Sequence, residues 1–316
     1  MKLSAKKTFE LTDKDYSDIV ELLCEVFDFD YTVEGLKAFY TGTSLGYSFH
    51  SILHDGDKLV GYEAYIPFYY LKGEERFLAT LGVNTVTAPT HRDFSNYFDV
   101  YQNGMKMLKE NQVKLRFGFP NDNSCPLLVK GFKHKLIGHL QTYVLPIRVG
   151  GFKSSLHLLN PASHLFSAMV LLLSRLQRGS NGFLFKYKKD IATFDNRYNW
   201  YGGGYHKVEI KDGYFVYKNR DYEGAKAAFL LDVQPMTKRG FNEAIHYIYR
   251  HEKNNVDFIL FVGRLPFKPF SLVRIPLKYA PKHFNFSCKV LDSKFFDDSL
   301  YNIDNWEVSL ANYDLV

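Results

Sequence analysis

The chain offers few residues whose type and spacing could carry chemistry. Its eleven histidines are scattered, no H-E-x-x-H helix is present, and Cys24, Cys125 and Cys288 stand far apart with no C-x-x-C pair, so no metal site is expected. No Walker A loop, no G-x-G-x-x-G after a strand and no G-x-S-x-G elbow can be read. The triple glycine Gly202-Gly203-Gly204 leads into a strand, so it offers no helix N-terminus to a phosphate. Arg116-Phe117-Gly118-Phe119 has the start of an RNA-binding strand motif, but Pro120 stops it before its aromatic continuation. What remains is a strand–loop–helix–strand unit from Gly82 to Phe132, and the chemistry must be sought there.

The elements around that unit follow from periodicity. Thr12 or Asp13 caps an amphipathic helix carrying Ile19, Leu22, Leu23, Val26 and Phe27. Phe9 and Leu11 before it read as a short strand. From Phe49 the period becomes that of strands. The turns Asp55-Gly56-Asp57 and Lys72-Gly73-Glu74 fold three runs into an antiparallel meander. Phe94, Phe98, Tyr101, Met105 and Leu108 then mark one face of a helix. Lys114 to Phe119 is a compact strand, and Leu136 to Val149 a long one. Three antiparallel strands followed by a β-α-β step imply a mixed sheet.

The order strand, turn, strand, strand, helix, strand occurs twice, from Phe49 to Phe119 and from His206 to Val262. With 316 residues and about 150 per domain, this suggests an α/β (α+β) chain of two similar domains, 1–150 and 151–316, dividing at Gly150-Gly151. Hydrophobic residues at 46% and charged residues at 23% exclude a disordered, collagenous or coiled-coil chain. The net charge of +6 is spread out and does not demand a nucleic acid. The N-terminus lacks an apolar stretch behind its lysines, and the run Leu165 to Leu173 is about half a membrane span. A cytoplasmic protein with reduced thiols and no transmembrane segment is therefore expected. The apolar helix of that run reads as buried or interdomain, with a membrane-surface helix as the alternative.

The segment GVNTVTAPTHRDFSNYFDVYQNGMKMLKENQVKLRFGFPNDNSCPLLVKGF resembles the GNAT acetyltransferase superfamily. The Gly118-Phe119-Pro120-Asn121 string with Ser124 beyond it is similar to a subgroup with two tandem GNAT-like domains that acts on amino groups of sugars or cell-envelope precursors. Phe194 to Tyr198 (F-x-x-R-aromatic) and Trp306 with Asp314 extend the resemblance over nearly the whole chain. It implies two mixed, mostly antiparallel sheets flanked by helices, acetyl-CoA as cosubstrate and a small-molecule amine as acceptor. It also implies that Asn84, Thr85, Val86 and Thr87 border the acyl arm, that Asn121 lies near it, and that Ser95, Asn96, Tyr97 and Phe98 stand at the phosphate loop.

That loop departs from the family pattern. Ser95 replaces an arginine and no glycine remains, although glycine lets a backbone approach phosphates closely. Where many relatives carry a tyrosine acid there is Leu127, with Ser124 and Cys125 nearby as substitutes. Glu63 is the candidate base for the amine, through a direct or water-mediated proton transfer; the alternation of its strand reads more simply as placing it toward solvent. A non-catalytic protein of the same fold and a Fem-type aminoacyl transferase are the alternative functions.

Overall fold

The computed structural model describes residues 1–27, 29–151, 154–174, 182–188, 198, 204–280 and 282–313. In chain order the first half contains β1 (Lys2–Lys7), α1 (Asp13–Val26), α2 (Val33–Thr41), β2 (Phe49–Asp55), β3 (Lys58–Lys72), β4 (Glu75–Thr87), α3 (Phe94–Glu110), β5 (Leu115–Gly118), β6 (Lys135–His139) and β7 (Gln141–Pro146). The second half contains α4 (Asn160–Ser174), β8 (Phe185–Tyr187), β9 (Tyr205–Ile210), β10 (Gly213–Tyr222), β11 (Ala225–Gln234), α5 (Lys238–Glu252), β12 (Phe258–Gly263), β13 (Val273–Ile275) and β14 (Asn285–Val290).

Local chemistry accounts for the main boundaries. Thr12 caps α1, and its side chain and that of Asp15 satisfy each other's backbone N–H groups in a capping box. Ile19, Leu22 and Leu23 then bury one face of the helix. The strand expected at Phe9 and Leu11 lies earlier, at β1, because Thr8–Glu10 tightens into a 3-10 turn. Strand β3 is buried over most of its length and on both faces, which explains why its aromatic run shows no polar alternation.

Both halves repeat one pairing pattern. β2, β3 and β4 pair antiparallel and β4 pairs β5 in parallel across α3. Likewise β9, β10 and β11 pair antiparallel and β11 pairs β12 in parallel across α5. The two sheets exchange segments, however. The first has the order β1-β2-β3-β4-β5-β14-β6, with β8 on β3, and the second β13-β7-β12-β11-β10-β9. The single strand expected from Leu136 to Val149 is two strands, β6 and β7, one in each sheet. The chain has therefore reached the second sheet before residue 150, and β14 returns from the C-terminal part to lie between β5 and β6. Hydrophobic alternation continues across such a crossing, so periodicity cannot reveal it.

The returning segment is anchored by Trp306, which is fully buried, stacks on Phe185 and donates its indole N–H to the Leu300 carbonyl at 2.8 Å. Asn312 then donates to the Tyr70 hydroxyl at 2.9 Å. The F-x-x-R string and Asp314 lie outside the described residues.

Helix α4 is not the buried helix expected. Its packed face is the one with small residues: Ser163 and Ser167 both donate to the Pro146 carbonyl, and Leu171 and Ser174 are buried beside them. With the turn before it, the segment Ser155–Ser174 is by length and composition apolar enough to cross a membrane.

Candidate functional site

The site is made where two strands part. β4 and β5 are hydrogen-bonded only from Ala79↔Leu115 to Leu81↔Phe117. β4 runs on to Thr87 while β5 ends at Gly118, so the β5-facing edge of Val83–Thr87 carries no ladder bond to β5. A bulge adds to the divergence. Pairing between β3 and β4 jumps from Tyr62↔Val86 to Ala64↔Val83, placing Asn84 and Thr85 together against Glu63. Asn84 takes a positive φ of 50°, tolerable for asparagine, and its amide donates to the Tyr40 hydroxyl at 2.8 Å.

Between the parted strands lies a cleft of about 640 Å³. Its walls include Asn84, Thr85, Val86, Thr87, Tyr97, Asn121 and Ser124, all named from the sequence as site residues. Arg92 and Phe119 line it too, and Asp93, Phe94, Arg116 and Tyr313 are lining residues that the sequence did not single out for the site. Ser95, Asn96, Phe98, Cys125 and Glu63 are not on the walls. Asn121 and Ser124 form an asparagine turn: the Asn121 side-chain oxygen accepts from the Ser124 N–H at 2.8 Å and from the Ser124 hydroxyl at 3.0 Å. Cys125 does not line the cleft, and burial, helped by Asp122, raises its thiol pKa. That opposes thiolate formation.

Glu63 neither faces solvent nor reaches the cleft. It is fully buried behind the bulge, its carboxylate 2.5 Å from Arg116, accepting from the Tyr65 hydroxyl at 2.7 Å and the Thr85 hydroxyl at 3.2 Å. Three of its roughly four acceptor directions are taken up by Arg116, Tyr65 and Thr85, and it does not line the cleft where an amine would sit. Arg116, 2% exposed, also donates to His134 Nε2 at 3.1 Å, and Tyr101 shares that nitrogen at 2.9 Å. Burial works against the guanidinium charge, but Glu63 together with Tyr101, Tyr97 and Tyr65 raises its pKa above the ordinary value, and Arg116 is held protonated. Burial and then Arg116 push His134 down to about 2, so it stays neutral. Burial raises the Tyr65, Tyr97 and Tyr101 hydroxyls far above their ordinary range, so they remain proton donors. Two glycines make room for this network. A Cβ on Gly82 would clash with the Arg116 guanidinium, and one on Gly104 with the Tyr65 hydroxyl.

At the mouth, α3 presents its N-terminus, but its own cap fills it. The Asp93 carboxylate accepts from the Asn96 N–H at 2.9 Å, the Ser95 hydroxyl at 2.5 Å and the Asn96 amide at 2.8 Å. The hydrogen bonds from Ser95 and Asn96 lower the Asp93 pKa, so the charge persists at neutral pH. Among the described lining residues Asp93 is the single carboxylate.

This architecture is similar to solved structures over 92% of the chain. One is a conserved protein of unknown function from Enterococcus faecalis V583 titled a probable N-acyltransferase (TM-score 0.61, 11% identity, 73% of that chain). Another is a GCN5-related N-acetyltransferase from Anabaena variabilis ATCC 29413 (0.58, 13%, 73%). A third is Eis1 from Mycobacterium abscessus (0.57, 11%, 74%). The chain has the tandem GNAT fold. No protein-family model matches the sequence, and comparison with the curated proteins finds no match.

Within that fold the cleft divides in its suitability for acetyl-CoA. The unpaired edge of Val83–Thr87 and the apolar walls of Phe119 and Leu128 suit an extended amide-bearing arm, which can add to a strand edge by main-chain hydrogen bonds. The helix terminus does not suit a pyrophosphate. The Asn96 N–H that would point at it is already bonded, and the bonding group is an anion.

Proposed function

We propose that this chain is a GNAT-type N-acyltransferase that takes an acyl group from a thioester on a pantetheine arm, acetyl-CoA in the simplest case, and passes it to the amine of a small molecule. One observation carries the reading: β4 and β5 part beside the Asn84 bulge and leave a strand edge free along a cleft of the right kind. In such a transfer the amine nitrogen attacks the thioester carbonyl carbon, the C–S bond breaks with its electron pair leaving on sulfur, and the proton lost by the nitrogen passes through water to the thiolate, giving an amide and a free thiol. The residues present contribute alignment along the β4 edge and exclusion of water by Phe119, Leu127 and Leu128. The buried Arg116–Glu63 pair fixes the bulge that sets the edge in place and is not itself a proton acceptor for the amine.

Asp93 favours a second reading, a non-catalytic protein that keeps the fold and binds another ligand in the cleft. Release of free thiol from acetyl-CoA in the presence of a panel of amino sugars, polyamines and aminoglycosides separates the two. Amine-dependent thiol release abolished by filling the cleft with Val86→Trp supports transfer. No release with any amine, together with no calorimetric binding of acetyl-CoA or acetyl-pantetheine, moves the binding-protein reading to first place.

A further inference from the structure

Helix α4 is amphipathic in the reverse sense. The side toward the protein is held by serine hydroxyls and by Asn242, whose amide donates to the Ser174 carbonyl at 3.0 Å. The side toward solvent is a stripe of Leu165, Met169 and Leu172 spaced along one face, with Leu158 exposed in the turn before the helix; Leu158 is 93%, Leu165 74% and Leu172 62% exposed. Phe166 and Leu173 widen it. An exposed contiguous apolar face of this kind marks an interaction surface.

Charge identifies what covers it. In sequence Lys153 precedes the helix and Arg175 and Arg178 follow it, with no Asp or Glu between Lys153 and Arg178; Arg148, further back, is already paired with Asp257. The helix itself carries neither sign. A second copy of the chain docked on this face would bring two such cationic segments together. A surface of anionic lipid headgroups over an apolar interior instead matches both features, apolar stripe and basic flanks. The helix is packed along its serine face on Pro146 and on α5, so it is presented lengthwise by the protein and not free to cross a bilayer.

We propose that the α4 face is a membrane-docking surface that lays its leucine stripe into the interface of an anionic bilayer. The test is flotation of the full chain with vesicles of phosphatidylcholine alone or with about 30 mol % phosphatidylglycerol, and with the double variant Leu165→Gln/Leu172→Gln. Both sites are exposed, so folding is checked simply by an unchanged thermal midpoint. The expected result is binding to the anionic vesicles, at least about tenfold weaker to neutral vesicles and at raised salt, and at least about tenfold weaker for the variant. The proposal is overturned if the wild type binds neither vesicle, binds both equally, or binds as well after the double substitution. It is also overturned if the wild type is a lipid-independent dimer that the double substitution dissociates, since the occupant is then a second copy.

Discussion

Replacing Glu63 by glutamine tests whether the pair behind the cleft is architecture or catalytic apparatus. Arg116 is 2% exposed, and in the variant its guanidinium keeps its charge with only neutral partners in a place water does not reach. Removing one member of a buried ion pair costs about 3–5 kcal/mol. The glutamine oxygen can still accept from Tyr65 or Arg116, which puts the expected loss near the lower end, about 3 kcal/mol. Against a total of roughly 5–15 kcal/mol this is a large fraction. Replacing both members, Glu63→Leu with Arg116→Met, removes the stranded charge and should recover most of the loss, to within about 1–2 kcal/mol of the wild type. Urea unfolding followed by tryptophan fluorescence reads these differences, because Trp306 is fully buried against Phe185 in the shared core. A loss below about 1 kcal/mol for Glu63→Gln would refute the closed pair. An unchanged stability with a lost alkaline-rising limb in the rate profile would instead make Glu63 a base.

Three further outcomes follow from the same geometry. Gly82→Ala should destabilise the fold by about 1–3 kcal/mol in urea unfolding, because its Cβ would press on the Arg116 guanidinium. Asn84→Val should cost about 1–2 kcal/mol by the same assay, from a β-branched residue at φ 50° and the lost bond to Tyr40. Stability should also depend on pH through two buried histidines: burial lowers His50 to about 3, and burial with Arg116 lowers His134 to about 2. Both bind protons more readily unfolded, where their pKa is about 6.5. Their contribution is therefore complete above pH 6.5 and lost as pH falls toward the folded values, at up to about 1.4 kcal/mol per pH unit for each. Denaturant midpoints that stay flat from pH 6.5 to 4.5 would contradict this.

Much of the fold was legible because it rests on local signals. The Thr12 cap, the glycine turns of the meander and the doubled strand order are all written in neighbouring residues, and each is in the structure. What stayed hidden depends on distant partners. The return of β14 between β5 and β6 joins residues some 170 apart, which no periodicity records. Asn84, Thr85, Val86 and Thr87 line the cleft, and the signal that pointed to them was the sequence resemblance to a strand that splays. Glu63 was misjudged as solvent-facing because its partner Arg116 lies 53 residues away. The polar Arg116 in the otherwise apolar Leu115–Gly118 strand was the available signal. Asp93, three residues before Asn96, has the spacing of an N-cap, and that spacing was the available signal for a filled helix terminus. The apolar face of α4 was read as burial because composition does not say which side of a helix meets the protein.

The most direct measurement is calorimetric titration of the wild type and Asp93→Asn with acetyl-CoA and with acetyl-pantetheine, which lacks the pyrophosphate. Asparagine still caps a helix, so the fold is kept while the charge at the α3 terminus is removed. If the cleft takes the arm and Asp93 fills the phosphate position, the two ligands should bind the wild type within about tenfold of each other. The substitution should then tighten acetyl-CoA by about tenfold or more, because a negative charge no longer stands beside the phosphate position, and leave acetyl-pantetheine unchanged. Wild-type binding of acetyl-CoA about a hundredfold tighter than acetyl-pantetheine, or no response of either ligand to Asp93→Asn, would contradict this assignment of the cleft.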